Sequence, residues 1–71
     1  MDFIAYRVII AGYTSCHIFQ GDGDSSTLTT FPNEERWNEE RKRLNAKLVT
    51  DFRQLPEEIR EKVRADELVR S

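Results

Sequence analysis

The change in composition at Pro32 constrains the fold of this chain more than any other feature. Before Pro32 the chain has few charges and carries runs of β-branched and aromatic residues such as FIAYRVII and SCHIFQ. After Pro32, charged residues alternate with apolar residues at helical spacing. Because the first pattern is typical of strands and the second of helices, the sequence predicts an α+β fold, with a β part at 1–31 and an α-helical part at 32–71.

The length and composition predict one small domain with a thin core. The chain has 71 residues, too few for a second core, so we expect a single domain over 1–71. Its apolar fraction of 38% lies below the roughly 45–50% typical of globular domains, and its charged fraction is 34%. Domains of this kind gain stability from disulfides, a metal or a partner.

The β part is expected to contain a hairpin and a third strand. Alternating apolar residues predict one strand over 3–10 and a second over 13–20. Ala11 and Gly12 form the turn between them, because glycine readily adopts positive φ. The threonine-rich segment 27–31 predicts the third strand of an antiparallel sheet.

The α part is expected to contain two helices separated at Pro56. Pro32 suits a first helical turn, and the glutamates after it suit a helix N-terminus. Large apolar residues then recur at helical spacing and predict one long helix packed on the sheet. These residues are Trp37, Leu44, Leu48, Phe52 and Leu55. Pro56 predicts a break, after which a second helix begins and the last residues, 64–71, fray.

Cys16 and His17 are the only adjacent pair that resembles a thiol and its base. Neighbours on a strand point to opposite faces, so we expect a buried cysteine, a solvent-facing histidine and no catalytic dyad. One cysteine excludes an internal disulfide and favours a reducing, cytoplasmic location. One cysteine and one histidine are also too few for a structural zinc site.

The acidic segment 22–26 resembles the opening of a calcium-binding loop. The match fails because Thr27 stands where such a loop needs glycine, and Asn33 stands where it needs a bidentate glutamate. No glycine-rich phosphate-binding loop is present either. The sequence therefore predicts no catalytic residue, no metal site and no cofactor, and we do not expect an enzyme.

The net charge of −2 gives no overall attraction to nucleic acid or to an anionic membrane. The N-terminal apolar stretch is interrupted by Arg7 and Gly12 and has no basic leader, so we expect neither export nor a membrane span. Arg41, Lys42 and Arg43 form one basic cluster among glutamates. A small nucleic-acid-binding protein that uses this basic helix face therefore stays an alternative.

The remaining side chains suggest a protein that binds a partner. If helices cover one face of the sheet, Phe3, Ala5 and Ile9 form an apolar patch on the other face. Arginine, tyrosine and tryptophan are the side chains most enriched at interfaces. The residues that we expect to contact a partner are Arg7, Tyr13, Trp37 and Arg41. A structural homodimer, formed through sheet faces or helices, is a further alternative.

The hairpin FIAYRVIIAGYTSCHIF followed by the charged helix PNEERWNEERKR resembles, in format, small bacteriophage-encoded regulators that bind host RNA polymerase. The likeness extends over the whole chain. It implies a non-catalytic inhibitor that occludes a surface of bacterial RNA polymerase in the host cytoplasm. The shared features do not include a site motif, so the resemblance assigns no contact residues.

Overall fold

A computed structural model describes residues 2–69 of the chain as a small α+β domain. Strands β1 (Asp2–Ile10), β2 (Tyr13–Asp22) and β3 (Ser25–Phe31) form an antiparallel meander. A short strand β4 (Lys47–Leu48) runs parallel to β1, so the sheet has four strands in the order β3-β2-β1-β4. The predicted N-terminal sheet is confirmed, and β4 is an addition to it.

Both hairpin loops use positive φ angles. Ala11 and Gly12 have φ angles of 52° and 84°, as required at both central positions of a type I′ turn. Gly23, the first of the two loop residues between β2 and β3, has a φ of 61°, as in type II′ turns. These turns match the twist of the strands and set the register of both pairings.

Helix α1 (Glu34–Arg43) begins after an asparagine cap. The Asn33 side-chain oxygen accepts a hydrogen bond from the Arg36 backbone N–H at 2.8 Å. Pro32 therefore precedes the cap and does not occupy the first helical turn, contrary to the prediction. The physical reason is that asparagine satisfies one of the free N–H groups at the helix start, which proline cannot do.

The end of α1 differs most from the prediction. Asn45 adopts a left-handed φ of 54°. The Ala46 N–H donates to the Arg41 carbonyl at 2.8 Å, and the Asn45 N–H donates to the Lys42 carbonyl at 3.2 Å. These bonds define a Schellman motif, which satisfies the last carbonyls and stops the helix. The prediction that this helix continues to Leu55 is therefore wrong.

The segment after β4 contains only short helical turns. A 3-10 helix covers Phe52–Gln54, and Leu55 and Pro56 are extended, with ψ angles of 146° and 148°. Helix α2 (Glu57–Arg60) begins just after Pro56 but has four residues. The predicted long helix broken at Pro56 is therefore not confirmed. Among residues 2–69, no helix is long and apolar enough to cross a membrane.

Side chains cover the sheet on both faces. Under α1, Trp37 packs in a buried cluster with Ala5, Cys16 and Ile18. On the other face, the segment after β4 supplies most of a second cluster. Its buried members are Tyr6, Val8, Phe19, Val49, Leu55, Ile59 and Val63. The chain changes faces at β4, so apolar residues that seemed to form one helical stripe are divided between two cores.

The prediction of an apolar patch on a free sheet face is wrong for two of its three residues. Ala5 is 0% exposed, and Phe3 packs against the cluster that contains Trp37. Ile9 remains exposed at 47%. The prediction fails because α1 and the segment after β4 pack on opposite faces, whereas the sequence pattern placed both helices on one face.

The outer edge of β1 is closed along most of its length. The Ala5 carbonyl accepts from the Val49 N–H at 2.9 Å. Further along, the Ile9 N–H donates to the Glu67 carbonyl at 2.7 Å, and the Arg7 carbonyl accepts from the Val69 N–H at 2.9 Å. Backbone bonds thus join Glu67 and Val69 to the sheet. The predicted fraying of 64–71 stays a prediction, and residues 70 and 71 lie outside the described residues.

Candidate functional site: the hairpin tip and the tryptophan stack

Trp37 organises a stack at the centre of the α1 face. The residue is 1% exposed, and its indole N–H donates to the His17 carbonyl at 2.8 Å. The guanidinium carbons of Arg7 and Arg41 lie over the ring, 5.2 Å and 5.1 Å from its centroid. The structure thus brings together Arg7, Trp37 and Arg41, which the sequence predicted as separate contacts.

Both guanidiniums of this stack already have partners within the chain. Arg7 forms an ion pair with Glu34 in the first turn of α1, and its side chain is 17% exposed. Arg41 Nε donates to Asn38 Oδ1 at 2.9 Å. A cation over a tryptophan ring contributes about 0.5–2 kcal/mol, more when water is excluded. The stack therefore joins α1 to β1, and most of the interactions of its three side chains are made within the chain.

Tyr13, the fourth predicted contact residue, lies at the opposite extreme of exposure. It is 79% exposed, and its direct cross-strand partner Ile10 is 54% exposed. Ile9, on the other face of the same strand, is 47% exposed. We call residues 9–14 the hairpin tip. This segment contains no charged residue, so it presents an apolar surface to solvent.

The tip is exposed because the segment that covers the edge of β1 reaches only its first residue, Ile9. Val8 is 1% exposed and pairs with Leu68, and the Ile9 N–H donates to the Glu67 carbonyl. Ala11 and Gly12, both exposed, then turn the chain back. The hairpin therefore projects from the body of the domain, held by the ladder between β1 and β2.

Cys16 and His17 point to opposite faces of the sheet, as the sequence predicted. Cys16 lies in the Trp37 cluster, where burial and the nearby Glu34 carboxylate raise the pKa of its thiol. His17 stacks on Tyr6 on the other face, with ring centroids 5.1 Å apart. The imidazole therefore cannot accept a proton from this thiol, which is held in its neutral form.

The His17 ring contacts two hydroxyl groups that sequence reasoning missed. Its Nε2 lies 2.8 Å from Ser15 Oγ, and its Nδ1 lies 3.0 Å from Thr30 Oγ1. The sequence predicted a solvent-facing ring, but the ring is half-buried. This burial lowers the pKa of His17. The i,i+2 spacing of serine and histidine was a usable signal, but the place of Thr30 depends on the pairing of β2 with β3.

This cluster has only part of what a serine nucleophile needs. In catalytic triads a carboxylate orients the histidine and stabilises the imidazolium that forms. Thr30 offers a neutral hydroxyl in that position, and the lowered pKa of His17 disfavours the imidazolium further. The arrangement is suited to holding β2 and β3 together through hydrogen bonds.

Two of the three basic residues of the cluster on α1 are engaged by neighbouring side chains, one of them in an ion pair. Arg43 forms an ion pair with Glu40, to which its Nε donates at 3.0 Å, and this contact lowers the pKa of the Glu40 carboxyl. Arg41 is engaged with Asn38 and Trp37. The nucleic-acid alternative stays a prediction, and the geometry of these arginines does not favour it.

A shallow groove of about 390 Å³ lies between the last turn of α1 and the sheet. Apolar side chains of Ile18, Phe31 and Leu44 line it, together with the Glu40 and Arg43 pair. Because the two charged groups already neutralise each other, the groove offers no free charge with which to orient a ligand.

No family model matches this chain, and no curated protein or solved structure matches it. Its function is therefore inferred from surface chemistry. The hairpin tip holds three of the four exposed large hydrophobic residues in the described part of the chain, the fourth being Leu28 on β3.

Proposed function

We propose that this chain is a non-catalytic protein-binding module that docks on a larger protein through the hairpin tip. The exposure of Ile9, Ile10 and Tyr13, at 47%, 54% and 79%, is the observation that supports this proposal most. Covering apolar surface contributes about 25 cal/mol per Å², and tyrosine is among the residues that dominate binding energy. A partner with an apolar cleft fits this tip.

The geometry of the hairpin supports a binding role in a second way. A type I′ turn and a continuous ladder hold the tip in one conformation, so little ordering entropy is lost on binding. The tip also carries no charge, so we expect its affinity to depend weakly on salt. Binding to nucleic acid would instead weaken steeply as salt increases.

The format shared with bacteriophage regulators supports bacterial RNA polymerase as the first partner to test. In this form of the proposal, the chain acts in the cytoplasm and inhibits transcription by occupying part of the polymerase surface. Such an inhibitor acts in stoichiometric amounts, because it turns over no substrate.

A variant of the tip tests the proposal directly. Ile10→Ser combined with Tyr13→Ser removes two exposed side chains and leaves the buried clusters intact, so we expect only a small loss of stability. Binding to purified RNA polymerase, and capture of partners from bacterial lysate, are expected to weaken at least about tenfold. Leu28→Ser, which removes an exposed leucine from β3, is the matched control and should bind like the unmodified protein.

Equal binding by the tip variant and the unmodified protein would exclude the tip as the docking surface. Binding to DNA or RNA that persists at physiological salt, with no protein retained, would favour the nucleic-acid alternative. Urea denaturation of each variant checks that a loss of binding does not reflect unfolding.

A further inference from the structure

Strand β3 leaves one long edge of the sheet without a strand partner in the described part of the chain. In the strand order β3-β2-β1-β4, β3 is terminal, whereas the outer edge of β1 is closed by β4 and by residues 67–69. The burial pattern of Ser25–Phe31 shows exposure at every residue except Phe31, which is half-buried. One edge of this sheet is therefore paired with other segments of the chain, whereas the β3 edge is exposed.

The β3 sequence itself lacks the features that protect exposed edges, although the Glu58 carboxylate lies beside it and accepts from the Ser26 hydroxyl at 2.6 Å. Proteins block such edges with lysine or other charged residues, with proline, or with bulges, because a free edge templates pairing with another chain. The β3 sequence SSTLTTF contains no charge, no proline and no glycine, and its pairing with β2 is continuous. An edge of this kind is open to a further strand.

The hydrogen-bond phase of the hairpin shows which residues of β3 face outward. A two-residue loop at Gly23 and Asp24 makes the flanking residues Asp22 and Ser25 a hydrogen-bonded pair. Bonded and non-bonded pairs alternate along an antiparallel ladder. The backbone groups at positions 26, 28 and 30 therefore point away from β2.

The sequence of β3 is nearly symmetric about Leu28, with threonine on both sides of it and a hydroxyl residue, Ser26 or Thr30, two positions away on each side. We propose that the β3 edge pairs with the β3 edge of a second copy of this chain, antiparallel and centred on Leu28. This register sets Leu28 against Leu28 and Ser26 against Thr30, and these are the residues whose backbone groups face outward. A centre half a residue away would set these residues against ones whose backbone groups β2 already uses.

The proposed pairing extends the sheet across a symmetry axis and closes its remaining long edge. The Ser26 and Thr30 hydroxyls already contact Glu58 and His17 within the chain, so the backbone bonds and the leucine pair on the axis are what would stabilise the contact. A contact confined to one strand buries less surface than the roughly 1,200 Å² of stable complexes, so we expect a weak, concentration-dependent dimer. This association is independent of the hairpin tip, which lies at the other end of β2 and on other residues.

Charge substitutions at Leu28 test the symmetry axis. Leu28 is 40% exposed, so Leu28→Lys and Leu28→Glu should both fold. Each variant alone places like charges opposite each other across the axis, whereas a mixture of the two places opposite charges there. Sedimentation between about 10 µM and about 1 mM should show a dimer for the unmodified protein, at least about tenfold weaker association for each variant, and recovery in the mixture.

A cysteine variant provides a second, independent measurement. Residues in a hydrogen-bonded antiparallel pair have Cα atoms about 5.5 Å apart, within the range that a disulfide spans. Leu28→Cys should therefore form a covalent dimer on mild oxidation, faster than Ser26→Cys, which lies off the axis. The native Cys16 is 3% exposed and should not compete.

Three results would overturn the pairing. They are a monomer at every concentration, a dimer unaffected by Leu28→Lys, and a dimer that is lost in Ile10→Lys but retained in Leu28→Lys. The last result would place self-association at the hairpin tip.

Discussion

Among single residues, Trp37 depends most on its surroundings for its role. Tryptophan is enriched both in cores and at interfaces, so residue type alone leaves both roles open. In the structure the ring is 1% exposed, its N–H is bonded to the His17 carbonyl, and two guanidiniums lie over it. The indole therefore stabilises the contact between helix and sheet and would reach a partner only if α1 were displaced.

His17 is expected to make stability depend on pH. Burial lowers the pKa of His17 below its ordinary value of 6.5, so below that pH the unfolded chain binds more protons than the folded one. The contribution of His17 is fully present above pH 6.5 and is lost as the pH falls from 6.5 through the folded pKa. Urea denaturation between about pH 8 and about pH 5 should show this loss.

His17→Gln is the matched variant for this measurement. Glutamine keeps a group that hydrogen-bonds to Ser15 and Thr30 but does not titrate. Its stability should therefore change less over the same pH range. An NMR titration that finds a His17 pKa at or above 6.5 in the folded protein would contradict the expectation.

At the level of secondary-structure elements, Asn45 decides where α1 ends. Its left-handed φ of 54° suits glycine best, is tolerated by asparagine and is strained for β-branched residues. We expect Asn45→Gly to be neutral or to stabilise the fold by less than about 1 kcal/mol. Asn45→Val should destabilise it by about 1–2 kcal/mol, measured as a lower urea midpoint.

Lys42→Val serves as the control for the Asn45 substitutions. It introduces the same side chain at an exposed position within α1, where only helix propensity changes, by less than about 0.7 kcal/mol. Equal losses at positions 42 and 45 would show that the left-handed conformation is not what limits the helix.

For the whole molecule, the C-terminal segment is expected to contribute much of the stability. Deleting residues 64–71 removes the bonds that join Glu67 and Val69 to β1, and the packing of Leu68 on the core. At about 1 kcal/mol for each of the two hydrogen bonds and about 1 kcal/mol for a partly buried leucine, the loss should reach about 3 kcal/mol. Calorimetry should show a much lower Tm.

The deletion should also expose the outer edge of β1 and cause concentration-dependent aggregation. Glu67→Ala is the control, because it keeps the backbone carbonyl that accepts from Ile9. If the truncated chain had the same Tm as the unmodified protein, the backbone bonds at 67–69 would contribute nothing to the stability of the fold.

The parts of the fold that were predictable depend on local signals. Alternation and two glycine-containing turns identify the meander, and the glutamates at 34 and 35 identify the start of α1 within two residues. The end of α1 was missed because Leu44, Leu48 and Leu55 keep helical spacing although they lie on different elements. The asparagine at position 45 was the available signal, but asparagine ends helices less often than glycine does.

The candidate site also has one part that the sequence predicts and one part that it does not. The exposure of Tyr13 follows from its place beside a turn, which the sequence shows. The burial of Trp37 between Arg7 and Arg41 depends on α1 packing across β1 and β2, which residue types do not reveal.

By itself, the sequence determined the β meander, the beginning of α1 and the opposite directions of Cys16 and His17, because each depends on neighbouring residues and on backbone periodicity. The tertiary structure alone decided that the apolar residues after α1 form a second core on the other face. It also decided that one sheet edge is closed while β3 has no further strand partner among residues 2–69. Those outcomes depend on pairings between distant segments, such as β1 with β4 and with Leu68, for which local spacing carries no information.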